Sequence, residues 1–174
     1  GNFLVSGSCN TADGSCDLDV EIDQAAVTGS SFMPVRGIRG AARIKDETIF
    51  IDNISCYIRD IPVRLQGKID NFETEPYYDL NVAVASPHLV SGFTIYGEQN
   101  DLKIKGNFTL AERYHYLYEG DITLGEKGFT LHDMRVNNEY SAEGVFSIFD
   151  GRYRLRIFKE RQEVVFDLTH DNYN

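Results

Sequence analysis

The chain has 174 residues and carries 17 Lys or Arg against 27 Asp or Glu, so its formal net charge is −10. This length is enough for one domain with a hydrophobic core. The negative charge argues against a broad basic surface for nucleic acid or an anionic membrane, and no apolar run approaches the roughly 18 residues of a membrane-spanning helix.

The first strand signal lies at the N-terminus, where Phe3 and Val5 alternate with their neighbours. Because the chain opens inside this strand, we expect residues 1–174 to form a single all-β domain cut from a longer repeat protein. Cys9 and Cys16 follow and flank a turn sequence at residues 11–15. This spacing fits a disulfide in an oxidising compartment, and it fits two free thiols in a reducing one equally well.

Apolar residues then recur at every second position through most of the chain, which is the side-chain period of a β-strand. The strands predicted on this basis span residues 16–22, 48–54, 62–70, 79–85, 101–110, 114–124, 128–136, 140–148, 153–158 and 163–168. Only residues 25–32 and 161–165 leave room for a helical turn. Short polar turns separate the strands, so we expect consecutive antiparallel pairing.

One pattern, apolar-x-apolar-x-Gly-x-apolar, occurs three times in the chain. The copies are Val63-Leu65-Gly67-Ile69, Leu102-Ile104-Gly106-Phe108 and Tyr140-Ala142-Gly144-Phe146, and their glycines are 39 and then 38 residues apart. A longer match at an offset of 80 residues aligns Gly40-Ala42-Ile44 and Ile49-Ile51-Ile54-Cys56 with Gly120-Ile122-Leu124 and Phe129-Leu131-Met134-Val136. A β-motif at a nearly fixed interval is typical of stacked or elongated β architectures.

The sequence therefore predicts an elongated, curved antiparallel sheet built from repeating units of about 38 residues. The alternative is a closed β-sandwich or jelly roll, in which two apolar faces meet each other. Alternation along the strands is compatible with both folds because it requires only that each strand has one apolar face.

Residues with catalytic or metal-binding chemistry are scattered along the chain. No two of the histidines at positions 88, 115, 132 and 170 lie at a metal-ligand spacing, and no serine lies in a G-x-S-x-G motif. We therefore expect no metal, no cofactor and no enzymatic activity.

Two polar or aromatic rows have alternative interpretations. The row of Asp17, Asp19 and Glu21 could gather a calcium ion with Asp13, but a solvated acidic strand face is the simpler interpretation. The tyrosines at positions 114, 116 and 118 share another strand face and could stack on sugar rings, although ordinary sheet packing is again simpler.

Three segments resemble the AsmA-like repeats, including the TamB branch: residues 44–54 (IKDETIFIDNI), 61–69 (IPVRLQGKI) and 78–84 (YDLNVAV). The resemblance implies a long, curled β-sheet with an apolar groove, located in the periplasm of a diderm bacterium within a parent protein anchored at the inner membrane. It further implies non-enzymatic transport of phospholipid acyl chains between membranes, or a part in outer-membrane assembly.

A groove of this kind would be floored by apolar residues of the predicted strands. The candidates are Ile49, Ile51, Leu65, Ile69, Leu80, Val82, Ile104, Phe108, Phe129, Leu131, Phe146 and Leu155. Burial of each CH₂ group is worth about 0.8 kcal/mol, so a continuous floor would hold an acyl chain without any catalytic residue.

The expected partners follow from the same hypothesis. They are phospholipid or another acyl-chain lipid, neighbouring repeats of the parent chain and outer-membrane assembly proteins, with no nucleic acid. Unpaired sheet edges also predict a homodimer. The alternative function is that of a β-sandwich module for adhesion or glycan binding.

Overall fold

The structure, a computed structural model, describes residues 1–10, 15–28, 34–58, 60–86, 89–110, 112–125, 128–147 and 153–168. These residues form thirteen β-strands and no helix. The strands are β1 (Asn2–Cys9), β2 (Cys16–Val27), β3 (Val35–Lys45), β4 (Thr48–Ile58), β5 (Ile61–Asp70), β6 (Tyr77–Ala85), β7 (Leu89–Glu98), β8 (Asp101–Leu110), β9 (Tyr114–Gly125), β10 (Gly128–Val136), β11 (Tyr140–Ser147), β12 (Tyr153–Lys159) and β13 (Gln162–Leu168).

Each strand pairs antiparallel with the strands that precede and follow it, so the order across the sheet is β1 to β13. The result is one elongated, curved sheet that is not closed, which confirms the predicted all-β architecture. The sandwich and jelly-roll alternative is wrong for the described strands, because they all belong to one sheet and no connection crosses over another strand.

Two strands, β3 and β7, were not predicted from the sequence because glycines interrupt their apolar alternation. β3 contains Gly37 and Gly40, and β7 contains Gly92 and Gly97. Glycine weakens a strand interior and lowers the β signal of the sequence, so pairing with neighbours decides the structure at these positions.

The two stretches that left room for a helical turn form no helix where the structure describes them. Residues 25–27 belong to β2 and residues 162–165 belong to β13, so the helical alternative is wrong there. Residues 29–33, and the predicted turn residues 11–14 and 150–151, lie outside the described residues.

The three motif glycines lie on every third strand: Gly67 in β5, Gly106 in β8 and Gly144 in β11. A unit of about 38 residues therefore contains three strands, and because three is odd, neighbouring units run in opposite directions. Their backbone conformations also differ, since Gly67 has a φ of 140° whereas Gly106 and Gly144 do not adopt a positive φ. The glycines thus share a position on the sheet rather than a local conformation.

β-bulges bend the sheet at matching places in β4 and β10. Pairing with the following strand skips from Ile51 to Ile54 in β4 and from Leu131 to Met134 in β10. These residues are aligned at the 80-residue offset, so that match corresponds to a structural feature shared by strands six positions apart. Each bulge increases the local twist and keeps the apolar residues on both sides of it on the same face.

The best-packed part of the sheet lies on β8 to β11. Among the described residues, five of the six buried hydrophobic side chains are found there: Leu102, Ile104, Ile122, Met134 and Ala142. The chain has an accessible surface of 12123 Å², whereas a compact monomer of 19.7 kDa is expected to expose about 8,600 Å². An open sheet accounts for this excess, because much of each face stays in contact with water.

Candidate functional site

Strand register places all twelve predicted groove residues on one face of the sheet, which we call the apolar face. In the central strands, Ile49 lies opposite Ile69 and Leu65 lies opposite Val82. The same register continues through β12 and assigns to this face Ile49, Ile51, Leu65, Ile69, Leu80, Val82, Ile104, Phe108, Phe129, Leu131, Phe146 and Leu155.

Burial differs along the apolar face. Ile104 is buried within the packed part at β8 to β11, whereas the other eleven predicted groove residues are half-buried. At the N-terminal edge, Phe3 and Val5 belong to the same face and are 65% and 58% exposed. A guest molecule would therefore reach the face most easily over β1 to β7.

Aromatic side chains pack against one another in the C-terminal half of the apolar face. The Phe108 ring stacks on Tyr116 with centroids 4.7 Å apart, and it lies 5.9 Å from Tyr118 in a tilted arrangement. Phe129 and Phe146 form a second stack at 4.9 Å. These contacts support sheet packing, rather than sugar stacking, as the role of the tyrosine row.

Burial raises the pKa of Tyr118, and a 3.4 Å hydrogen bond between its hydroxyl and Ser91 Oγ partly opposes that rise. The pKa of Tyr118 is thus higher in the folded chain than in the unfolded chain, where it is about 10. The resulting contribution to stability is complete below about pH 10 and is lost as pH rises through the folded-state pKa.

This shift gives a testable pH dependence. Between pH 8 and about pH 10.5 the free energy of unfolding should fall further for the wild-type chain than for Tyr118→Phe. The Tyr118 hydroxyl ionises more readily in the unfolded chain than in the folded chain, and the phenylalanine variant lacks this hydroxyl. Urea unfolding at both pH values measures the difference. Tyr114→Phe, which changes a side chain that is 58% exposed, is the control and should behave like the wild type. Equal losses in wild type and Tyr118→Phe would contradict the prediction.

Cys56 belongs to the apolar face, where it lies opposite Val63, and its thiol is free. Burial raises the pKa of this thiol, so the reactive thiolate form is disfavoured at neutral pH. Its position fits a small apolar residue of the sheet.

The opposite face is polar and carries many cross-strand ion pairs. Arg43 Nε lies 2.8 Å from Asp19 Oδ1, so one member of the predicted acidic row is paired with a cation. Lys103 Nζ contacts Asp101 at 2.9 Å and Asp121 at 3.0 Å, and its hydrogen bonds to these carboxylates raise the pKa of the lysine. Exposed pairs like these contribute little stability individually.

The histidines that the structure describes are engaged in cross-strand hydrogen bonds. His115 and His132 each contact the hydroxyl of a threonine on a neighbouring strand, at 2.9 Å and 2.7 Å. In the described part of the chain, no group of three His, Cys, Asp or Glu side chains is placed to hold a metal ion. His88, His170 and Asp13 lie outside the described residues.

A disulfide joins Cys9 to Cys16 at the end of the β1–β2 hairpin. The strand register places the two residues directly opposite each other, with Cα atoms 4.1 Å apart and sulfur atoms 2.08 Å apart. The sequence allowed either a disulfide or two free thiols, and the structure has the disulfide.

Sequence reasoning missed a depression of about 670 Å³ on the polar face, which we call the polar trough. The polar-face residues that line it are Asp52, Arg64, Gln66, Asn81, Ala83, Gly92, Thr94, Lys105 and Asn107. Its floor forms where register sets Ala83 opposite Gly92, so the only sequence signal was the small size of these two residues.

No α-helix in the described part of the chain has the length and apolarity that a membrane crossing requires. No protein-family description matches the chain, and neither the curated proteins nor the solved structures include a match. The geometry of the two faces is therefore the basis on which a function can be inferred.

Proposed function

We propose that this chain is a non-enzymatic, lipid-handling segment of a cell-envelope protein, which shelters acyl chains on the apolar face and passes them along it. The observation that carries the proposal is that the described strands all belong to one open sheet, so no second sheet covers the apolar face. Extended apolar surface of this kind is unusual on a soluble protein and marks a surface with a binding partner.

The dimensions and energetics of the apolar face suit an acyl chain. Over β1 to β7, where the face is most accessible, strands spaced by about 4.8 Å make a path of about 29 Å, close to the hydrocarbon thickness of a bilayer. Each CH₂ group that leaves water on this face gains about 0.8 kcal/mol. The half-buried side chains on this face are apolar along successive strands, so no single site binds an acyl chain much more tightly than the next. An acyl chain can therefore shift from one strand to its neighbour.

We place the parent protein in the periplasm of a diderm bacterium, anchored at the inner membrane, with neighbouring repeats and outer-membrane assembly proteins as partners. The disulfide between Cys9 and Cys16 supports an oxidising compartment. The resemblance of residues 44–54, 61–69 and 78–84 to the AsmA-like repeats supports the same placement.

The sheet edge at β1 supports a second copy of the chain as a partner. Residues 2–9 include no charged residue and no proline, which are the usual protection of an edge strand. By contrast, a two-fold pairing of β13 with itself, centred on Val165, would set Glu163 opposite Asp167. We therefore assign the homodimer contact to β1, where pairing would join two apolar faces into one.

Lipid extraction tests the proposed function. The purified chain should release phospholipid into organic solvent, as quantified by mass spectrometry. Leu65→Glu places a carboxylate on the apolar face and should lower the bound lipid at least about tenfold, because an acyl chain cannot solvate the charge. Gln66→Glu adds the same charge one residue away on the polar face and should retain lipid. Lipid-free wild-type protein, or equal loss in both variants, would contradict the proposal.

Solution scattering on the same preparation reports the assembly. We expect an elongated particle with twice the chain mass of 19.7 kDa. Leu4→Lys adds a charge to the exposed edge strand without altering the apolar face, so it should give a monomer that still holds lipid. A compact wild-type monomer would argue against both the edge contact and the open sheet.

A further inference from the structure

Gly92 lies in the middle of β7 with open space beside it. A Cβ atom added at this position would meet no other atom within 4 Å, and the φ of Gly92 is not positive. The pairings of β7 with β6 and β8 run through Gly92 without a bulge. Neither a positive φ nor close packing explains this glycine, and a recurring reason for glycine inside a strand is the close approach of a ligand or of another backbone.

The open space beside Gly92 is the polar trough. Ala83 lies opposite Gly92 on one side and Asn107 lies opposite it on the other, so the floor is made by the two smallest side chains of the region. Longer side chains rise around this floor, including Arg64 on β5 and Lys105 on β8. A volume of about 670 Å³ lies within the range of small-ligand sites.

The two cations of the trough lack carboxylate partners among the described residues, unlike the paired Arg43 and Lys103 on the same face. Arg64 forms no ion pair there, and the Lys105 ammonium lies 5.0 Å from the centroid of the Tyr96 ring. Asp52 on β4 is the one carboxylate among the lining residues, so the two cations outnumber it and, in a chain with a net charge of −10, favour an anionic ligand.

The amide side chains of the trough add neutral hydrogen-bonding groups. The Thr94 hydroxyl donates to Asn81 Oδ1 at 2.8 Å, which fixes the orientation of that amide and leaves its NH₂ group available as a donor. Gln66 and Asn107 supply further donors and acceptors beside it. Such groups suit a ligand with many hydroxyls, since each hydroxyl both donates and accepts.

We propose that the polar trough binds an acidic oligosaccharide, with its carboxylates on Arg64 and Lys105 and its hydroxyls on the amides between them. β5 and β8 are three strand spacings apart, about 14 Å, so the two cations suit charges on separate sugar units rather than one small anion. This site is independent of the lipid proposal, because it lies on the opposite face of the sheet.

Calorimetric titration with tetragalacturonate tests the site, with maltotetraose as the neutral analogue and inorganic phosphate as the small anion. We expect the wild type to bind tetragalacturonate, and to bind maltotetraose and phosphate at least about tenfold more weakly. Arg64→Gln should weaken tetragalacturonate binding about tenfold. Arg161→Gln removes the same charge from the β12–β13 turn and should leave binding unchanged.

The Gly92→Ile variant tests the location of the site, because it should block the trough in a chain that still folds. Isoleucine suits a strand and its Cβ enters open space, so thermal stability should be retained while the side chain fills the trough and abolishes binding. Wild-type affinity in a folded Gly92→Ile variant would overturn the location. Equal binding of maltotetraose or of phosphate would overturn the ligand class, and no binding of tetragalacturonate by the wild type would overturn the proposal as a whole.

Discussion

Gly67→Ala is expected to lower the free energy of unfolding by about 3 kcal/mol or more. Gly67 has a φ of 140°, a region that residues with a side chain rarely adopt, and an added Cβ would lie 2.0 Å from the carbonyl oxygen of Asp79 on β6. The substitution must therefore either strain the backbone or push two paired strands apart in the middle of the sheet. The same conflict exists at Gly40, where the added Cβ would lie 2.1 Å from Asn53 O.

Urea unfolding of Gly67→Ala against the wild type measures this effect. Gly92→Ala is the matched control, because it makes the same chemical change in a strand interior where the new methyl group meets nothing. That control should gain about 0.5–1 kcal/mol, since alanine has less conformational freedom to lose than glycine. If Gly67→Ala were as stable as Gly92→Ala, the proposed role of the positive φ would be wrong.

Loss of the Cys9–Cys16 disulfide is expected to destabilise the β1–β2 hairpin by about 2.4 kcal/mol. The two cysteines are 7 residues apart, and the loop-closure relation gives this value for a ring of that size. The effect should stay local because β1 pairs only with β2 and all of its residues are exposed. When β1 detaches, the free energy of unfolding of the remaining strands should therefore change little.

Hydrogen exchange of residues 2–9 in the presence and absence of a reducing agent tests this prediction. Reduction should speed exchange in β1 while exchange in β8 to β11 stays unchanged. Cys56→Ser controls for thiol chemistry elsewhere and should respond to the reducing agent as the wild type does. Unchanged protection of β1 after complete reduction would show that strand pairing, rather than the disulfide, holds this edge.

The fold class was predictable because apolar alternation with a period of 2 is typical of strands and does not suit the 3.6-residue period of a helix. Residues 101–110 and 128–136 were predicted with the observed bounds of β8 and β10. The bulges also had a sequence signal that the prediction did not use. In Ile49-Ile51-Ile54-Cys56 the apolar spacing is 2, then 3, then 2, which is the pattern that one extra residue produces in a strand.

The openness of the sheet was not predictable from alternation. The apolar residues of β5, such as Leu65, would alternate in the same way if a second sheet covered them. The order of strands distinguishes the two folds, and that order depends on which strands pair. The polar trough has the same origin, because Ala83 and Gly92 belong to successive strands and become neighbours only when β6 pairs with β7.

Each described strand, from β1 to β13, pairs only with the strands that precede and follow it in the sequence. This gives the sheet an unusually low contact order for an all-β fold. Such a sheet can form like a zipper, one hairpin at a time, without waiting for distant segments to meet. Adding or deleting a pair of strands keeps the direction of all the others, and only the two strands that flank the change acquire new partners. Evolution can therefore lengthen or shorten the sheet of this protein in hairpin steps.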